Sequence, residues 1–145
     1  MNSVSRSAIV TFSAKQMFDL VEAVEQYPRF LPWCSGTSVT FRDPEVTHAT
    51  IHINYRGIKQ SFSTKNQKKA PEQMHLQLIE GPFRSLDGEW LFTPLSNEAC
   101  RIDFRLSYEF SNSLLEKLVG PVFGHIAGTM MDAFLKRANQ VYEQS

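Results

Sequence analysis

Between residues 4 and 12 apolar and polar side chains alternate, with Val4, Ala8, Val10 and Phe12 on one parity, as in a strand with one buried face. The period then changes. Ser13 with Gln16 three positions later forms a capping box, and Met17, Leu20, Val21 and Val24 recur behind it at helical spacing, which predicts an amphipathic helix. Tyr27-Pro28 and Leu31-Pro32 restrict the backbone of the residues before each proline, so YPRFLPW reads as a short broken helix or an ordered loop.

From residue 34 to residue 110 the period is two, interrupted by turn signals at Asp43-Pro44, Gly57, Lys69-Ala70-Pro71, Gly81-Pro82 and Ser96-Asn97. Six strands result. In the last, Cys100, Ile102, Phe104, Leu106, Tyr108 and Phe110 share one face against Arg101, Asp103, Arg105, Ser107 and Glu109 on the other, the mark of an antiparallel sheet with one wet side. Residues 113 to 144 return to helical spacing through Val119, Val122, Phe123, Ile126, Met130, Phe134, Ala138 and Val141. Asp132, Lys136, Gln140 and Glu143 mark its solvent side, and Gly120-Pro121 predicts a kink or break. An apolar-faced helix of this length must cover something. The expectation is an α+β fold, a curved seven-stranded antiparallel sheet wrapped around a long C-terminal helix, with two short helices after the first strand.

Composition narrows this further. The chain has 145 residues, 42% of them apolar, with 11 Phe and 15 basic against 15 acidic side chains. Such a chain is too hydrophobic for disorder and is expected to form one domain over residues 1–145 with a core of its own. Zero net charge gives no attraction of the whole molecule to nucleic acid or anionic lipid, and DNA is not an expected partner. Polar residues interrupt the N-terminal stretch, so no signal peptide is expected, and no window approaches an uninterrupted span. Cys34 and Cys100 form no paired motif and the four His make no ligand spacing, so reduced thiols in a cytoplasmic protein without a metal are expected.

The inward parity holds Tyr55, Phe62, Leu78, Trp90, Phe92, Phe104, Tyr108, Phe123, Met130 and Phe134 and almost no acid or base. That argues against acid/base catalysis, which needs a titratable group aimed into the site. Either the rings fill a dry core or they line an apolar cavity in which a tyrosine hydroxyl meets a ligand. Gly124 and Gly128 on the last helix point either to close packing on the sheet or to local softness beside a cavity. Residues 56 to 69 carry Arg56, Lys59, Lys65, Lys68 and Lys69 without an acid, a basic hairpin that either contacts phosphates or is a solvated strand face. Phe30, Leu31 and Trp33 beside Arg29 fit either a peripheral membrane contact or a plug for one end of the sheet.

The stretches YPRFLPWCSG, GPFRSLDGEWLFTPL, CRIDFRLSYEF and FGHIAGTMMDAFLKRA, in that order over essentially the whole chain, resemble the coenzyme Q-binding START-like family, and most of all its ribosome association toxin (RatA) branch. The resemblance implies a helix-grip, START-like (Bet v 1-like) fold. In the quinone-binding branch it implies a tunnel for ubiquinone or a related prenyl lipid, supporting respiration, with Pro82, Phe83, Trp90, Phe92, Phe123, Met130 and Phe134 at its wall and no required cofactor. In the toxin branch it implies binding to the large ribosomal subunit that blocks the small one and so inhibits translation initiation. Quinone binding is the leading expectation, in the cytoplasm or peripherally at the inner membrane. The ribosome is the alternative, and enzymatic cyclisation ranks last.

Overall fold

The computed structural model describes residues 2–143. The capping box forms: the Ser13 Oγ accepts from the Gln16 amide at 3.1 Å, and the Gln16 carboxamide accepts from the Ser13 amide at 2.8 Å. These bonds start helix α1 (Ala14–Glu22) soon after strand β1 (Asn2–Val10). The helix ends earlier than the spacing predicts. Val24 instead opens a 3-10 helix (Val24–Arg29) that contains Pro28. Its Tyr27 and the following Leu31 and Trp33 are buried, the last two only 1% and 3% exposed, and Phe30 is half-buried, so this segment plugs the sheet and, of the three residues of the expected membrane contact, holds Leu31 and Trp33 in the core. Proline-restricted backbone presents these side chains inward, where apolar area leaves water.

Six strands follow: β2 (Cys34–Arg42), β3 (Val46–Tyr55), β4 (Ile58–Lys69), β5 (Gln73–Glu80), β6 (Phe83–Ser96) and β7 (Ala99–Phe110). Every hairpin reverses at one of the turn signals. Gly81 shows why: its φ is +151°, and a Cβ there would stand 2.6 Å from that of Phe62. The sheet order is β1-β7-β6-β5-β4-β3-β2, antiparallel throughout, so the first strand closes on the last, with Asn2 opposite Tyr108 and Val10 opposite Cys100. Register shifts in β2, β5 and β6 mark the places where an extra residue bends the sheet. The inward set of β7, from Cys100 to Phe110, is buried as its alternation requires.

Helix α2 (Ser113–Tyr142) is capped by Asn112, whose Oδ1 accepts from the Leu115 amide at 2.9 Å. It crosses the concave face and touches β7, β1, β4 and α1. It runs unbroken through Pro121, because Pro121 and Lys117, the residue whose carbonyl loses a partner, both face solvent and water can satisfy that carbonyl. Met131, not Met130, is fully buried, and Val141 is 43% exposed, while Tyr142 takes the last inward position by donating to the Gln16 carbonyl at 2.8 Å. Gln144 lies outside the described residues. By length and composition alone α2 is apolar enough to cross a membrane, with a mean hydropathy of 1.3 over 18 residues, but its apolar face here is packed on the sheet.

Candidate functional site

Between α2 and the sheet lies a cavity of about 60 Å³. Aromatic walls come from Phe62, Trp90, Phe104, Phe123 and Phe134, with Met130 and Leu76 between them. Trp90 holds the centre, its ring 4.4 Å from that of Phe104 and 5.4 Å from that of Phe134. A cavity of about 150 Å³ takes up a benzene, so this one is smaller than a quinone ring needs and admits only a few waters. In this conformation the rings largely fill the core.

The polar end of the cavity was not apparent from the apolar pattern. Thr64 donates to the Asn66 Oδ1 at 2.8 Å, both residues being buried, and Tyr27 donates to the Val21 carbonyl. Burial, reinforced by the charge of Glu22, pushes the Tyr27 phenol far above its ordinary range, so it stays a neutral donor. Thr64 and Asn66 continue the inward parity of Phe62. Tyr27 belongs to a segment with no period, and only its place before Pro28 marked it.

The remaining predicted wall residues lie elsewhere. Phe83 and Tyr108 pack with Phe123 at 4.8 and 4.7 Å and close one end of the sheet, and Phe92 sits between Phe18 and Trp90. Pro82 occupies the β5 to β6 turn, where its carbonyl accepts from the Ser111 amide at 3.0 Å. Leu78 is half-buried against the core without reaching the cavity. Tyr55 faces outward to a surface groove of about 420 Å³ between α2 and residues 29–33, where its ring stacks on His125 at 5.7 Å.

The basic hairpin divides in the same way. Lys59, Lys69 and Arg56 are exposed and Lys65 is half-buried on the outer face. Lys68 is not available to phosphates: it has the inward parity, is 5% exposed and binds Glu22 at 2.7 Å. Arg56 belongs to the groove more than to the strand, its guanidinium lying 5.0 Å over the Tyr55 ring.

Residues 10–135 match the polyketide cyclase/dehydrase and lipid transport family. The chain belongs to that family. Among curated members it is 44% identical to the ribosome association toxin RatA of Escherichia coli over 98% of this chain and 90% of the relative. It is also 30% identical to a mitochondrial coenzyme Q-binding protein homolog of Xenopus laevis, over 95% of this chain and 58% of that protein. A solved Streptomyces aromatase/cyclase superposes with a TM-score of 0.78 at 14% identity, covering 96% of this chain and 94% of that one, a likeness of fold alone. The polyketide cyclase family thus supplies the helix-grip architecture that the sequence resemblance implied. Its members include binding proteins and enzymes, so the chemistry has to be argued from this chain's own residues.

Proposed function

We propose that this chain binds the large ribosomal subunit and hinders its association with the small one. The observation that carries the reading is the 44% identity to a ribosome association toxin along nearly the whole of both chains. The small cavity supports it, since a ribosome-directed role needs no ligand inside the fold. Such a protein works in the cytoplasm and without catalysis. The cavity's polar lining, Tyr27, Thr64 and Asn66, brings no group that titrates near neutral pH, and Tyr27 is held neutral. The test is to mix purified protein with separated subunits and sediment them in sucrose gradients. The protein is expected to travel with the large subunit and to reduce the joined peak. Full subunit joining with the protein left at the top of the gradient would overturn the reading.

A second reading is prenylquinone binding, favoured by the apolar cavity walls and the 30% identity to a coenzyme Q-binding protein. It requires α2 to move off the sheet. Burial of a prenyl tail at about 25 cal/mol per Å² would drive the opening. Organic extraction of the protein purified from its host, followed by mass spectrometry, should yield stoichiometric quinone if this reading holds, and an empty protein if it does not.

A further inference from the structure

The chain carries 15 Lys and Arg, and six of them, Lys15, Arg42, Lys68, Arg84, Arg101 and Arg105, sit in ion pairs with carboxylates. Among the described residues nine have no such partner, and four of these nine are Arg29, Arg56, Lys136 and Arg137. These four gather around the surface groove, although they come from three separate elements. Arg29 ends the 3-10 helix, Arg56 follows β3, and Lys136 and Arg137 lie on α2. Asp132 is the one acid among the groove's lining residues. In a protein of zero net charge, four unpaired cations against one acid leave a local positive field in a concave site.

The groove also presents flat rings. Tyr55 and His125 are parallel to within 3°, and both are open to the groove. Arg56 lies over the Tyr55 ring and Arg137 lies 5.3 Å from the centre of Phe30. Guanidinium groups held on rings keep their positions while their N–H donors stay available. From His125 to Lys136 the helix rises about 16 Å, room for more than one phosphate. Cations tracking a backbone beside an aromatic platform are the arrangement that binds unpaired nucleic acid. A lipid surface fits less well, because Leu31 and Trp33, the rings and chains that would enter it, are buried.

We propose that this groove receives an unpaired stretch of RNA, with phosphates against Arg29 and Lys136 and a splayed base against the Tyr55 and His125 pair. The biological setting rests on the ribosome reading, but the binding chemistry is testable without ribosomes. The probe is a labelled single-stranded RNA of about 12 nucleotides, a length within the usual site sizes, followed by fluorescence anisotropy on the full chain at several salt concentrations. Arg29→Glu/Lys136→Glu, both exposed positions, should weaken binding at least tenfold and reduce the slope of log K against log salt by about 1.4, two phosphate contacts' worth. Tyr55→Ala should weaken binding about fivefold or more without changing that slope, and Tyr55→Phe should restore it, since stacking needs only the ring. Lys59→Glu/Lys65→Glu, on the outer strand face, should change binding less than twofold.

The proposal is overturned if the wild type fails to bind the RNA, if the groove variant binds it equally well while its circular dichroism melt is unchanged, or if polyglutamate displaces the RNA as efficiently as unlabelled RNA does. Sedimentation with large subunits separates the two claims. Groove-dependent RNA binding without co-sedimentation would leave the groove standing and remove the ribosome reading, whereas co-sedimentation of a protein that does not bind the RNA would do the reverse.

Discussion

Lys68 on β4 donates to the carboxylate of Glu22 at the end of α1 at 2.7 Å, across 46 positions of sequence and with only 5% of the lysine side chain exposed. The same carboxylate accepts from Arg42 at 2.9 Å and from the Thr47 hydroxyl at 3.0 Å, so a single acid ties the helix to β2, β3 and β4. A carboxylate at a helix C-terminus opposes the helix dipole, and these donors offset that. Glu22→Gln leaves a buried ammonium without its counter-charge and should destabilise by about 3 kcal/mol. Lys68→Met leaves Glu22 with Arg42 and Thr47 and should cost less than half as much. Urea midpoints at unchanged m-value measure both, and equal losses would contradict the network.

Lys68 also shows how parity reads a sheet. Alternation along β4 assigns Phe62, Thr64, Asn66 and Lys68 to one face and Lys59 and Lys65 to the other, and the structure agrees at every one of these positions. Charge points the other way from parity at Lys68: the basic run suggests solvent, yet the side chain turns inward to a partner 46 residues away. Strands, turns and the capping box are local in origin and were therefore legible. Parity says which face a residue takes, not how far along the strand the space opens, which is why Phe83, Phe92 and Tyr108 face inward yet line no cavity. The groove joins residues 29 to 140 through a packing that no period encodes.

The buried pair of Thr64 and Asn66 carries a second expectation. Thr64→Val keeps the shape but leaves the Asn66 carboxamide oxygen without its donor in an apolar surround, which should cost about 1–3 kcal/mol. Thr64→Val/Asn66→Leu removes both polar groups and should recover much of that loss. A double-mutant cycle on denaturant midpoints gives the coupling, and additive losses would mean that the bond contributes nothing.

Alkaline pH should unfold the protein early. Burial raises the thiol pKa of Cys34 and Cys100 and the phenol pKa of Tyr108 and Tyr142, with the Asp19 charge adding to the last. Above the ordinary thiol value of about 9 the folded chain therefore holds more protons than the unfolded one, and stability falls as pH rises. The contribution is fully present below that pH. Each thiol kept protonated lowers stability by about 1.4 kcal/mol per pH unit. Melting temperatures between pH 7 and 11 should bend downward near pH 9, and Cys34→Ala/Cys100→Ala should move the bend to about 10, where the phenols begin.

Gly124 and Gly128 are not required for close approach. A Cβ on Gly124 would stand 3.9 Å from the Tyr108 hydroxyl and one on Gly128 3.8 Å from the Arg6 guanidinium, both ordinary contacts. Alanine at either should stabilise α2 by about 0.5–1 kcal/mol, seen as a rise of about 3 °C in Tm. If ligand entry depends on α2 leaving the sheet, the doubly substituted protein should also exchange the α2 amides more slowly. A drop in Tm would instead show that the glycines serve packing.

Strand β1 pairs with β7 along its whole length, so β1 finds its partner only after the last strand of the sheet has been made. The groove waits longer still, since more than half of its wall belongs to α2. A nascent chain interrupted after β7 would hold neither the helix that covers the core nor Lys136 and Arg137. The groove is thus a product of the finished packing, and nothing that disturbs the seat of α2 on the sheet leaves its cations in place.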